Sequence, residues 1–304
     1  MSRAGGGWSI AFLTCLLLVL SGCASGPYQY GCKSDYLTSP ELAAITQPQI
    51  EQGQPRSALD GIGWVVGIPS KIILWDRRVD DHDISLETAQ AIADYLAVNE
   101  LDTVKVRLNQ YAPKDEWHRL VANTSVAWGW RYTCGTLSWL EDTLLPGRIF
   151  GGDHFNAYTN TISLFSDVPA IAAHEAGHAK DFARRTYKGT YAALYAIPGT
   201  ALWYEAVATK DALGYCRAER SAEEEQEAYR VLYPAYGTYL GSTLSEFSPG
   251  PSSLIYAAAV IPGHVLGRIQ ARRVMNERAD GTESPPPQAE APVEGQDAVS
   301  DSAL

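Results

Sequence analysis

Residues Ala172–Phe182 read AAHEAGHAKDF. On a helix, positions four apart lie on one face, so His174 and His178 can turn imidazole nitrogens toward one ion. Glu175 follows the first histidine and stands beside that ion rather than on it. There a carboxylate can take a proton from a water that a metal has made acidic. Gly177 places no side chain next to the pair. A five-residue pattern of this kind also occurs by chance, as polar residues on an ordinary helix. Here it sits in an apolar stretch behind Ile171-Ala172-Ala173, where two imidazoles and a carboxylate are costly to bury without partners.

A third ligand is expected downstream. ALWYEAVATKDAL, from Ala201, sets Glu205 alone among Trp203, Tyr204, Val207 and Leu213, and a lone carboxylate in such a helix needs a partner. The acids Glu219, Glu223, Glu224, Glu225 and Glu227 fall in a charged run that reads as a solvated face. Asp181, three residues past His178, either orients a histidine or pairs with Lys180, Arg184 or Arg185.

Around the motif the pattern is mixed and then helical. The apolar run Trp64 to Trp75, broken by Gly-Ile-Pro-Ser, suggests one or two short strands. Ser85 caps a helix whose apolar face holds Ala89, Ile92, Ala93, Leu96 and Ala97. TVKVRLNQY, from Thr103, alternates like a half-buried strand. KDEWHRLVAN and TLSWLEDTLL read as short helices, and NAYTNTISLF, from Asn156, as a strand. Ser166 or Asp167 then offers an N-cap, with Pro169 in the first turn of the motif helix. From there to about Arg273 the chain reads as helix. YAALYAIPGTAL and YAAAVIPGHVL share a pattern, read as buried helices broken at Pro198 and Pro262 or as shallow membrane-contacting segments. The expected fold class is α+β: a small N-terminal sheet with helices, then the motif helix and a mostly helical C-terminal part.

The termini bear on compartment. Arg3, an apolar run from Trp8 to Leu20 and then Leu20-Ser21-Gly22-Cys23 make a secretory signal too short for a comfortable span. Leu-Ser-Gly-Cys resembles the lipobox of bacterial lipoproteins. That resemblance implies cleavage before Cys23, acylation of Cys23 and stable membrane anchoring through the N-terminal lipid. Ala24 is not the aspartate associated with inner-membrane retention, so the expected location is the outer membrane, facing the periplasm. Of the remaining Cys32, Cys134 and Cys216, at most two can pair. From Asn276 to Leu304 there are seven acidic residues and one basic, −6 of the formal −11, with three consecutive prolines. Such a composition reads as disordered. The body is only mildly acidic, which argues against nucleic acid as a partner. The expected organisation is a signal over residues 1–22, a tether over 23–60, one domain over 61–275 and a tail over 276–304.

A strand, an H-E-x-x-H helix and a second helix bearing E-x-x-A resemble the gluzincin metallopeptidases, nearest the CaaX prenyl endopeptidases, the HtpX-like proteases and their minimal soluble relatives. The resemblance covers roughly residues 150–215. It implies one zinc ion on His174, His178 and Glu205, with Glu175 as general base. It also implies that the strand opened by Asn156-Ala157 pairs with an extended protein or peptide substrate. The family usually carries an aspartate four residues after the ligand glutamate. Here that position is Thr209, so Thr209 or Asp181 is expected to support a zinc histidine. His264 is the candidate to polarise the substrate carbonyl. The function so implied is a lipid-anchored zinc endopeptidase of the bacterial cell envelope. Two other readings fit the same residues: a non-proteolytic envelope chaperone or assembly lipoprotein with a structural zinc, and a helical scaffold without metal.

Overall fold

In the computed structural model, residues 39–197, 199–246 and 252–279 are described. The signal, Cys23, Cys32, Pro198 and most of the acidic tail lie outside them. The chain runs α1 (Pro40–Thr46), β1 (Ile50–Gln52), α2 (Ser57–Val66), α3 (Ile68–Leu74), α4 (Leu86–Val98), β2 (Lys105–Leu108), α5 (Pro113–Ala122) and α6 (Thr136–Leu144). There follow β3 (His154–Asn156), β4 (Thr161–Leu164), α7 (Pro169–Ala183), α8 (Lys188–Leu194), α9 (Ala201–Glu219), α10 (Ala222–Glu246) and α11 (Ser252–Ala279). The fold is α+β. Its sheet has the order β1-β2-β4-β3, parallel except for β3, which runs antiparallel to β4 at one edge.

Strand alternation divides the sheet into two buried faces. Val106, Leu108, Ile162 and Leu164 pack against α4, α7, α9 and α10 in the main core. Lys105 and Arg107 point the other way. They are buried too, because α5 covers that face and supplies carboxylates: Arg107 Nε donates to Glu116 at 2.5 Å and its Nη2 to Asp115 at 3.0 Å, while Glu51 on β1 accepts from Lys105 at 2.8 Å. The expected half-buried strand is therefore buried on both sides. Basic residues alternate along it because their partners lie inside the fold.

Other expectations move for identifiable reasons. Residues 39–60 are no tether: Ser39 caps α1, and β1 is the outer parallel strand. At the far end α11 continues to Ala279, and Glu277 accepts from Arg217 at 3.2 Å, so the domain extends past residue 275. Trp64 to Trp75 forms helix, not strand. An apolar run without clear periodicity does not distinguish the two, and Gly67 divides it between α2 and α3 where an added Cβ would lie 2.5 Å from Asp80 Cβ. The buried face of α4 runs through Thr88, Ala91, Ile92, Tyr95 and Leu96, rotated from the one expected. Neither Ser166 nor Asp167 caps the motif helix, whose N-cap is Val168. Asp167 instead supports the start of α4, which Ser85 caps, accepting from Ser85 N at 2.9 Å and Thr88 Oγ1 at 2.6 Å. Glu225 in the charged run is buried, and α11 passes through Pro262 unbroken. Cys134 and Cys216 are free thiols and do not pair.

Candidate metal centre

Two helices and one edge strand build the site. Pro169 starts α7, whose alanines Ala172, Ala173, Ala176 and Ala179 pack into the main core. α9 lies along α7 in a register repeated three times with the same offset of 31 residues. His174 meets Glu205, Gly177 faces Ala208, and Lys180 pairs with Asp211. Equal offsets mean that the two helices run in the same direction. Gly177 permits their approach, since a Cβ there would lie 3.0 Å from Ala208 O. The buried Lys180–Asp211 pair, at 2.8 Å, holds the slide. Asp211, the acid nearest to Thr209 on α9, thus pins the helices.

At the end of this register three donors converge. His174 Nε2 lies 3.0 Å from Glu205 Oε2 and 3.1 Å from His178 Nε2, and His178 Nε2 lies 3.4 Å from Glu205 Oε1. Among the described residues this is the one group of three whose donor atoms all fall within 4.8 Å. Glu205 is 1% exposed. Burial opposes its charge, but His178 and His174 outweigh burial and hold it well below the usual carboxylate range. A tetrahedral ion with bonds of about 2.0–2.1 Å needs donors about 3.3 Å apart. The observed separations meet that requirement, so the residues fit a metal of that size and preference.

Around the donors is a cleft lined by Asp153, His154, Phe155, Glu175, Tyr195 and Tyr239, among others. Glu175 is buried. Burial lifts its carboxyl to about 7, with Glu205 and Asp153 pushing the same way and His174 opposing. Tyr195, just past α8, donates to Glu205 Oε1 at 2.8 Å, and Tyr239 on α10 also hydrogen-bonds Glu205. Thr209 Oγ1 lies 3.4 Å from His174 Nδ1, so Thr209 stands where support for a histidine is expected. Asp181 does not give that support: it accepts from Arg185 and from Tyr191 Oη.

His264 is not in this cleft. Its Nε2 bonds Ile73 O at 2.8 Å and its ring stacks on Trp75 at 4.0 Å, joining α11 to α3. The histidine that does face Glu175 is His154. Burial lowers its basicity, but Asp142, the Gly152 carbonyl and Glu175 outweigh that and raise it to about 9. The nearest signal was its place two residues before Asn156, on the same side of a strand. Asn156 and Ala157 are also reassigned. Asn156 ends β3, and its Oδ1 accepts from Tyr158 N at 3.0 Å and Thr159 N at 3.3 Å, which closes the turn to β4. Ala157 lies in that turn. The backbone bordering the cleft is Asp153–Phe155. Tyr195 and Tyr239 carried no signal in the sequence, since tyrosines in apolar helices read as core.

No family model, no curated protein and no solved structure matches the chain. What the site can do rests on its own geometry.

Proposed function

We propose that this chain is a zinc-dependent endopeptidase held at a membrane of the bacterial cell envelope. The observation that carries the reading is the convergence of His174, His178 and Glu205 at 3.0 to 3.4 Å, with the buried carboxylate of Glu175 in the same cleft. The donor set is the His, His and Glu known from catalytic zinc sites, which leaves one coordination position for water or substrate. When bound there, zinc supplies the acidity of the attacking water and polarises the peptide carbonyl.

The chain's own residues do the rest. Glu175, raised to about 7, can take the proton from the attacking water and return it to the leaving amine near neutral pH. β3 is an edge strand, so an extended peptide can add to it as a further strand. His154, on that edge, carries positive charge at neutral pH and can donate to the substrate carbonyl oxygen, the role sought for His264. Tyr195 and Tyr239 hold Glu205 in place from two other elements. The anchor, acylated Cys23, belongs to the proposal and is read by the mass of the N-terminal peptide.

Glu175→Gln in the full-length protein tests the reading. Zinc should stay bound one per chain while cleavage of casein falls by about 100-fold or more. A variant that still degraded casein at the parent rate would overturn the mechanism.

A further inference from the structure

We propose that a second part of the molecule, the face made by α2, α3 and the outer side of α11, seats in the plane of a lipid bilayer with anionic headgroups around its arginines. α2 and α3, bent at 49° to each other, form an apolar pair long enough together to be taken for a broken span. Their surface shows Ile62, Trp64, Val65, Ile68, Ile72 and Trp75, with Ile72 and Trp75 each 65% exposed. The single charge between residues 61 and 75 is Lys71. Its ammonium is turned inward, onto Asp80 O at 2.9 Å and Trp64 O at 3.4 Å. The outer face is thereby cleared of charge.

α11 continues that surface. Leu254–Glu277 is long and apolar enough to cross a membrane, yet only 28% of its apolar window is buried. Its outward stripe holds Leu254, Ile261, Val265 and Ile269, with Ile261 60% and Val265 52% exposed. These follow helical spacing, so they form one ridge about 22 Å long. A solvated helix would carry its polar residues there. The two parts meet where Trp75 stacks on His264 and lies under the Arg268 guanidinium at 4.5 Å.

The inner side of α11 explains why it lies on the molecule rather than crossing away from it. Gly237 and Gly241 on α10, and Gly263 and Gly267 on α11, let the two backbones touch. Added Cβ atoms would lie 2.8 Å from Ala259 O and Tyr256 Cα, 2.6 Å from Tyr233 O and 2.4 Å from Tyr229 O. Small residues four apart on both partners are the packing used where helices associate in lipid. α10 in turn packs on α7 and α9, which keeps α11 in plane.

Charge and chain length select lipid as the occupant. The chain carries a formal −11, yet the apolar ridge runs into Arg268, Arg272 and Arg273, the last two exposed. A basic end on an apolar ridge matches anionic headgroups, and Trp64 and Trp75 are side chains suited to the headgroup level. The proposed lipid on Cys23, 16 residues before Ser39, would keep this face close to the same bilayer. Because α10 carries Tyr239 into the cleft, the seated face would be one helix away from Glu205. The proposal does not depend on the metal reading.

The test is photolabelling of the full-length protein in vesicles of phosphatidylethanolamine and phosphatidylglycerol with a diazirine on one acyl chain. Adducts mapped by mass spectrometry are expected on peptides spanning 58–75 and 254–275 and not on 86–98. Val265→Glu with Ile269→Glu should lose the adducts on 254–275 while circular dichroism stays unchanged. A variant that misfolds leaves the parent map to decide. Adducts confined to residues 1–38 would overturn the proposal, as would cross-links between two copies through this face in place of lipid adducts. Lipid adducts on a chain that binds no zinc would support this proposal and remove the metal reading.

Discussion

Two buried polar clusters flank the sheet and differ in one respect. Behind α5, each nitrogen of the Arg119 guanidinium is directed at oxygen: Nε at Thr159 O and Thr161 Oγ1, Nη1 at Thr46 Oγ1, Nη2 at Thr103 O and Asn160 O. Arg107 beside it is shared among Glu116, Asp115, Glu51 and Gln110. The cationic donors there meet acceptors within the protein. Between α7 and α9, by contrast, two imidazole Nε2 atoms and a carboxylate turn lone-pair-bearing atoms toward one point. The first arrangement is cement between α5, β2 and β4. The second could hold a cation at its centre, which is what separates a candidate site from a structural network of equal burial.

The strongest test of this contrast removes a donor. Glu205→Ala or His178→Ala should abolish stoichiometric zinc binding and with it casein cleavage, while chelation should lower the parent's melting temperature, because a ligand bound only by the folded state stabilises it. Metal analysis beside calorimetry reads both; a Glu205→Ala protein with full zinc would end the distinction. Next in size is Arg119→Met, which leaves several buried oxygens without donors. It should cost about 3 kcal/mol of stability by urea denaturation with zinc per folded chain unchanged. A loss of zinc there would mean that the two clusters are coupled.

Smaller effects sharpen the roles. Thr209→Val removes the hydroxyl beside His174 Nδ1, and competition with a chelator should show zinc affinity lower by up to about tenfold. The smallest is a pH effect at His154, whose side chain is 38% exposed. Its basicity is raised from 6.5 to about 9 in the fold. The stability it contributes is thus complete below 6.5 and lost as pH rises through about 9. The difference in urea midpoint between the parent and His154→Gln should shrink across that window. A difference that grew with pH would contradict the assignment.

How much could be read beforehand varied with the kind of signal. His174, Glu175 and His178 were readable because helical periodicity alone puts them together. Glu205 was readable because a single carboxylate in an apolar helix must be matched by a cation or by donors from elsewhere. Thr209 was found only as a departure from a resemblance. His154, Tyr195 and Tyr239 come from three separate parts of the chain, and nothing local marks an edge-strand histidine or a core tyrosine as lining the cleft. His264 was the candidate read from the sequence, and its packing against Trp75 removed it. Residues 39–60 read as tether because a three-residue strand and a short capped helix leave almost no periodic trace.

Composition and short-range pattern by themselves determined the α+β class, the motif helix and the candidacy of the three donor residues, since each rests on local periodicity or on a polar residue out of place in an apolar helix. The tertiary structure decided what spacing cannot carry. The 31-residue register of α7 on α9, set by Gly177 and by Lys180–Asp211, brings Glu205 to the histidines. The edge position of β3 brings His154 to Glu175, and the packing of α3 on α11 withdraws His264. Distances between elements come from steric fit and buried ion pairs, and these exist only once the helices have met.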